Sequence, residues 1–457
     1  MSQEKVVVID KSLPMQKIFE AEQSWLSCIG CGYKTDLLDE RKFRCPKCGD
    51  LYDIDHNFDL LNKTLGDYIK IFDKRAALSA YQSDNPAIRS GVWRFKEWIM
   101  PFMPDNLIIT LNEGIVPIVR AGKHLQNWVG DIELYIIMEG MTPTGSFKDF
   151  GGTVMMSVAN AAGICAVGCA STGDTSAMAA AYATAAGIQC VVILPKGKVT
   201  AVQLAQPLVF GAKIILLPGD FDDCMQVMQE LVASYGVYPA NSLNPARIEG
   251  HQATVFQIAQ YFSWQLPEWI AVPVGNGSNC SSVGKAMRLM ERFGQKKISR
   301  ILGCQSEAAN PLGKSWNLAQ KDSEVALEEW KARYGPVKTG ETAATAARIG
   351  SPVSRDKVMR EVIHSYGAMQ VATERDLNEA VSICGKDGHF VCPQTGIALA
   401  GVRNAVKGGL IKKGERVVVV STATGLKFAE TAAAHLQHNI ISVSDCKTET
   451  VAKILKR

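Results

Sequence analysis

The chain has 457 residues, 47% of them hydrophobic and 21% charged, with a net charge of +4. That length and balance suit a globular protein of about two to four domains, and exclude a disordered chain and a basic nucleic-acid-binding surface. No apolar run is long enough to span a membrane, and the start, Met1 to Lys5, lacks the order of an export signal; the expectation is a cytoplasmic protein whose 13 cysteines are reduced.

Residues 1–19 carry little pattern. Next come two CxxC knuckles, Cys28 with Cys31 and Cys45 with Cys48. Paired knuckles at this spacing read as a zinc ribbon, and Gly30, Gly32 and Gly49 permit their tight turns. Four thiolates fill every position around zinc, so the expected ion is structural and has no catalytic vacancy. Residues 58–104 are mixed and helical, with a turn and aromatic cluster at Ser90 to Phe95. Leu107 to Pro117 reads as a short strand broken at Asn112 to Gly114.

Leu134 to Met138 is apolar and of strand length. Gly151 to Ala162 is small, apolar and of helix length. Between them lies Pro143 to Phe150, with Lys148 where a strand feeds a helix. Ser146 and Asp149 have capping-box spacing, so Ser146 is expected to bond first-turn amides. Phe147 and Phe150 flank the lysine. Partial desolvation there lowers an amine pKa from about 10.4 toward neutrality, as a lysine that condenses with a carbonyl requires.

Beyond this point strands and helices alternate. Ala166 to Ala170, Cys190 to Leu194, Lys213 to Leu217, Ile270 to Val274, Ile301 to Gln305 and Arg416 to Val420 are continuous apolar runs. Such runs suit strands covered on both faces, hence an α/β fold with parallel sheets. Ligands then belong in loops at the carboxyl ends of the strands. The loop Ser171 to Ser176 offers hydroxyls and amides before a helix, which is either an anion site or simple capping. Gly275 to Asn279 is glycine-rich but is neither a Walker nor a dinucleotide loop. Ser421 to Gly425 presents hydroxyls, and Asn241 to Arg247 combines amide, hydroxyl and guanidinium groups. A polar, insertion-like stretch covers 319–342, and the tail after Asn439 stands outside the pattern.

In this order, the segments Ser90 to Phe95, Pro143 to Asp149, Ala170 to Ser176, Asn241 to Gly250, Gly275 to Asn279 and Thr424 to Lys427 resemble the motifs of the threonine synthases. These are fold-type II (tryptophan-synthase-β-like) enzymes that use pyridoxal 5′-phosphate, and the resemblance covers most of the chain. It implies two open, twisted, mostly parallel sheets with flanking helices, beside the small ribbon. The implied division is a ribbon segment (1–57), the first part of a large cofactor domain (58–155), a small α/β domain (156–244), the rest of the large domain (245–438) and a tail (439–457).

The resemblance also implies roles. Lys148 would hold the cofactor covalently and then move protons at the substrate α and β carbons. Gly275, Asn276, Gly277, Ser278 and Asn279 would cradle the cofactor phosphate. Thr422, rather than Ser421, would meet the pyridine nitrogen, and Asp174 would lie beside the ring hydroxyl. Ser171, Thr172 and Thr175 would bind the substrate carboxylate or phosphate. Asn241, Ser242 and Arg247 would bind the substrate phosphate. The implied reaction converts O-phospho-L-homoserine and water to L-threonine and phosphate, with a homodimer as the usual assembly. The sequence departs from the family pattern at Phe150, at Asn112 to Pro117 and at Cys392-Pro393, which bears on the substrate more than on the cofactor. A sulfite-using phosphoserine enzyme similar to cysteate synthase shares much of this pattern. A ribbon-bearing binding protein with an inactive body is the reading outside enzymes.

Overall fold

The structure is a computed structural model. It describes residues 22–37, 43–79, 83–171, 173–197, 201–319, 325–430, 440–443 and 447–455. In chain order the strands are β1 (Ser24–Cys28), β2 (Lys34–Asp36), β3 (Tyr52–His56), β4 (Ile118–Arg120), β5 (Glu133–Met138), β6 (Ala166–Cys169), β7 (Gln189–Pro195), β8 (Lys213–Leu217), β9 (Tyr238–Pro239), β10 (Trp269–Pro273), β11 (Arg300–Ser306), β12 (Ala368–Ala372) and β13 (Arg416–Ser421).

Among the described residues these strands make three sheets. The ribbon is an antiparallel β2-β1-β3 sheet. The large sheet runs β12-β11-β10-β13-β5-β4, parallel except for the edge strand β4. The small sheet, β8-β7-β6-β9, is parallel throughout. This is the α/β architecture expected from the apolar runs. Val417 to Val420 of β13 and all of β10 are buried, as strands covered on both faces must be. β8 departs from that logic: it ends the small sheet and is half-buried or exposed along its whole length.

The stretch before β4 also differs from expectation. Residues 108–117 form no strand, with Asn112 at φ +55°, and ladder pairing begins only at Ile118. The insertion-like region carries a helix, Leu327–Arg333, and the tail carries another, Thr448–Leu455.

Two helices cross closely behind the lysine loop: the lysine helix (Lys148–Ala161) and the arginine helix (Pro245–His251). Glycines permit the approach. A Cβ on Gly250 would lie 1.8 Å from the Phe150 carbonyl oxygen, and one on Gly151 would lie 2.6 Å from His251 Nε2. An aromatic cluster backs this region, with Trp98 in ring contact with Phe72 and Phe256 at 4.9 Å. Both phenylalanines are fully buried, each contributing about 1.5–3 kcal/mol.

Candidate active site

Register places three loops at one level. Ala271 pairs with Val419, Val419 with Ile136, and Ser421 with Met138. The carboxyl ends of β10, β13 and β5 are therefore aligned, with the glycine loop two strands from the lysine loop, roughly 10 Å at ~4.8 Å per strand.

Lys148 is the first residue of its helix, half-buried, with Nζ 4.0 Å from the Phe147 ring centroid. Burial lowers its pKa to about 7, helped by the positive charges of Arg247 and Lys427 and opposed by Asp174. The expected cap is absent. Ser146 Oγ is buried without a partner, and Asp149 instead accepts from Thr144 N at 2.7 Å and Thr144 Oγ1 at 2.6 Å. The carboxylate thereby braces the turn that precedes the helix. Gly145, at φ +82°, supplies the left-handed residue this turn requires.

The late hydroxyl loop is stitched to the lysine loop by backbone. Phe147 N donates to Thr422 O at 2.8 Å, Thr424 N to Gly145 O at 3.0 Å, and Ser146 bridges Ala423. Thr422 is thus fixed beside Lys148. Thr395 Oγ1 accepts from Thr422 N at 3.3 Å and donates to Ser421 Oγ at 3.2 Å, while Cys392 Sγ lies 3.5 Å from Thr422 Oγ1.

The glycine loop turns at Gly277, φ +90°, into the glycine-loop helix (Ser278–Arg292). A Cβ on Gly277 would meet Val358 at 2.6 Å. Asn276 is used structurally, its carbonyl accepting from Ser354 N at 2.9 Å. Both amide atoms of Asn279 are buried without a partner, as expected of groups that await a polar ligand.

The loops around the small sheet also approach Lys148, whose charge environment includes Asp174 and Arg247. Ser171 Oγ accepts from Gly173 N at 3.4 Å. Thr172 lies outside the described residues. Thr175 is half-buried in the first turn of the helix Asp174–Ala185, which has no side-chain cap. Asp174 is already paired, 2.9 Å from Lys427 Nζ. After β9, Asn244 caps the arginine helix through Ala246 N at 3.1 Å. Arg247 is 1% exposed; one of its nitrogens donates to Ala240 O at 3.1 Å, and Nε has no partner. Burial lowers its pKa to about 10 without removing its charge at neutral pH. Asn241 Oδ1 is also buried and unpartnered, and Ser242 is half-buried beside it in sequence.

Sequence reasoning passed over several groups here. Glu139, directly after β5, is fully buried; it accepts from Thr254 Oγ1, leaves Oε2 unpartnered, and is pushed by burial to about 8. Its signal was a carboxylate ending an apolar run. Lys427 stood inside a quoted motif without a role. Cys392 stood only as a departure, and Thr395 three residues on gave no sign of its place in the hydroxyl network.

The ribbon cysteines converge: the four sulfurs of Cys28, Cys31, Cys45 and Cys48 all lie within 4.8 Å of one another. That spacing could hold a metal ion, since a tetrahedral thiolate cage has edges of about 3.8 Å for ~2.3 Å zinc–sulfur bonds. Among the described residues no helix is long and apolar enough to cross a membrane.

Comparison with known proteins agrees with this geometry. Residues 109–423 match the family model described as pyridoxal-phosphate dependent enzyme. The chain is 36% identical over 420 residues to threonine synthase of Methanocaldococcus jannaschii, covering 90% of this chain and 99% of that one. It is 36% identical over 410 residues to threonine synthase 2, chloroplastic, of Arabidopsis thaliana, covering 88% and 76%. Among solved structures, threonine synthase from Escherichia coli superposes with a TM-score of 0.63 at 18% identity over 94% of both chains. Maize serine racemase superposes at 0.59 and 16% identity over 76% of this chain and 98% of that one, a likeness of fold alone. The chain belongs to the pyridoxal-phosphate dependent enzymes, and within them to the threonine synthase family.

Proposed function

We propose that this protein converts O-phospho-L-homoserine and water to L-threonine and phosphate. The observation that carries the reading is the level placement of three elements: a near-neutral amine, a hydroxyl loop stitched to it, and a glycine turn two strands away.

The residues fit the cofactor. Pyridoxal 5′-phosphate, when bound, supplies an electron sink for charge at the substrate α carbon. The amides of Gly275 to Asn279, at a helix start, suit its phosphate, and the unpartnered Asn279 amide gains a ligand there. Thr422, held by backbone, would present its hydroxyl to the ring nitrogen, with Asp174 beside the ring hydroxyl. A neutral hydroxyl does not hold that nitrogen protonated, which moderates the sink and suits elimination and replacement.

On the substrate side, Lys148 is near enough to neutral to accept the α proton and then to move protons at the β carbon. Ser171, Thr172 and Thr175 suit the α-carboxylate. Asn241, Ser242 and Arg247 suit the phosphate, and the buried guanidinium stabilises charge as phosphate leaves. The four ribbon thiolates would hold a structural zinc, closed to chemistry.

The test is a substrate panel with phosphate detection, run beside visible absorbance of the protein with added cofactor. Phosphate release from phosphohomoserine is expected, and not from phosphoserine with sulfite; the converse result moves the assignment to the sulfite-using enzyme. Lys148→Ala is expected to abolish the absorbance and cut phosphate release by about 10³-fold. A wild-type protein that stays colourless with cofactor would refute the reading.

A further inference from the structure

The four-cysteine ribbon stands apart from the lysine loop, yet its last strand roots a buried ion network that ends on the cleft's anion-binding helices. β3 begins just after the second knuckle, and its first residue, Tyr52, is in register with Cys28. Closing the knuckles therefore fixes both the end of β1 and the start of β3.

From β3 the contacts run in two directions. The Tyr52 carbonyl and the Asp53 carboxylate accept from Lys357 Nζ at 2.6 and 2.7 Å, and Asp53 also takes Arg360 at 2.9 Å. Lys357 is 2% exposed. It belongs to the clamp helix (Arg355–His364), and Ser354, just before that helix, donates its amide to Asn276 of the glycine loop. Two residues along β3, the Ile54 carbonyl shares Lys285 Nζ with the Glu249 carboxylate. His56 Nε2 lies 3.5 Å from the same carboxylate. Lys285 lies on the glycine-loop helix. Glu249, 1% exposed, lies two residues beyond Arg247 on the arginine helix.

Buried ion pairs rarely add net stability over apolar packing, so a fold retains them at a cost. Here they join the ribbon to the arginine helix and the glycine-loop helix. A helix shifted by a fraction of an ångström misplaces a bidentate guanidinium.

We propose that Lys285 is a positioning residue for the phosphate sites: clasped between the ribbon carbonyl of Ile54 and Glu249, it seats the arginine helix against the glycine-loop helix, so that a metal-closed ribbon is a requirement for tight phosphate binding. This rests on the phosphate roles proposed above for Arg247 and the glycine loop.

The experiment compares wild type, Lys285→Met, Lys285→Arg, a Cys31→Ser/Cys48→Ser double variant and Arg75→Met. Arg75→Met breaks an ion pair to Glu97 elsewhere on the body and controls for plain destabilisation. Readouts are zinc content, melting temperature, cofactor affinity by absorbance titration, and KM and kcat for phosphohomoserine. Lys285→Met and the zinc-free double variant are expected to raise KM and the cofactor Kd about tenfold with kcat within about twofold, an effect of ~1.4 kcal/mol. Lys285→Arg is expected to restore part of the loss, and Arg75→Met to lower melting without moving either constant. Unchanged KM and Kd in Lys285→Met would overturn the proposal; unchanged constants in the double variant would overturn its ribbon half. If the double variant does not fold, wild type stripped of zinc by a chelator gives the same comparison. A wild type that binds neither cofactor nor phosphohomoserine sinks the function reading instead.

Discussion

Lys148 and Glu139 lie nine residues apart on the two sides of one turn, and burial acts on them with opposite sign. Burial favours the neutral amine, so the folded chain binds fewer protons than the unfolded one between about pH 7 and the ordinary 10.5. Lys148 therefore makes the cofactor-free protein more stable as pH rises through that window, and Lys148→Met is expected to flatten the rise. Glu139 is held protonated up to about 8, against an ordinary 4.5. Its contribution is fully present below 4.5 and is lost as pH rises through 8, so Glu139→Gln is expected to stabilise increasingly across that span. Urea midpoints at pH 5, 7 and 9 check both signs. The rate of cofactor capture should rise through about pH 7 and then level; a rate still climbing at pH 10 would show that the lysine is not perturbed. Only half of this pair was legible in the sequence. The lysine sat in a motif with aromatic neighbours, whereas Glu139 is raised by burial under the assembled fold, and Thr254, which opposes that rise, lies 115 positions away; no local pattern reveals either.

At the scale of elements, the crossing of the lysine and arginine helices rests on the absence of two side chains. Gly250→Ala gains about 1 kcal/mol of helix preference, but its methyl group meets a backbone carbonyl that cannot rotate away. The net expectation is a loss of about 1–3 kcal/mol, together with weaker phosphate binding, because Lys148 and Arg247 ride on the two helices being forced apart. Denaturant midpoint and KM measure the two effects; a fully stable variant with wild-type KM would contradict the close approach. The central strands were readable as apolar runs because helices or loops cover both their faces. β12 was not, since Gln370 interrupts a short Ala-Met-Gln-Val-Ala run, and β9 has only two residues. The reciprocal cap expected of Ser146 and Asp149 is absent because the N-cap position falls one residue later, at Phe147, while Asp149 pairs with Thr144.

Across the whole molecule, polar contacts join the elements around the small sheet to those around the large one. Lys427 reaches Asp174, and Gln206 Nε2 donates to the Thr144 carbonyl at 3.0 Å. Lys427→Met leaves Asp174 nearly buried and unpaired, which should cost about 1–3 kcal/mol and raise KM more than it lowers kcat. The order of the loops made the cleft legible through its family resemblance. The ion network joining ribbon to body was not legible, because its members are scattered from Asp53 to Arg360 and each alone reads as an ordinary surface charge. Among the described residues β8 is the outermost strand of the small sheet, with Ile215 and Leu216 open to solvent. Unpaired along its outer edge among the described residues, and carrying greasy side chains, it offers a template on which other molecules can polymerise as the protein warms. Clouding of concentrated samples should therefore begin there, and Leu216→Lys should delay its onset while leaving catalysis untouched.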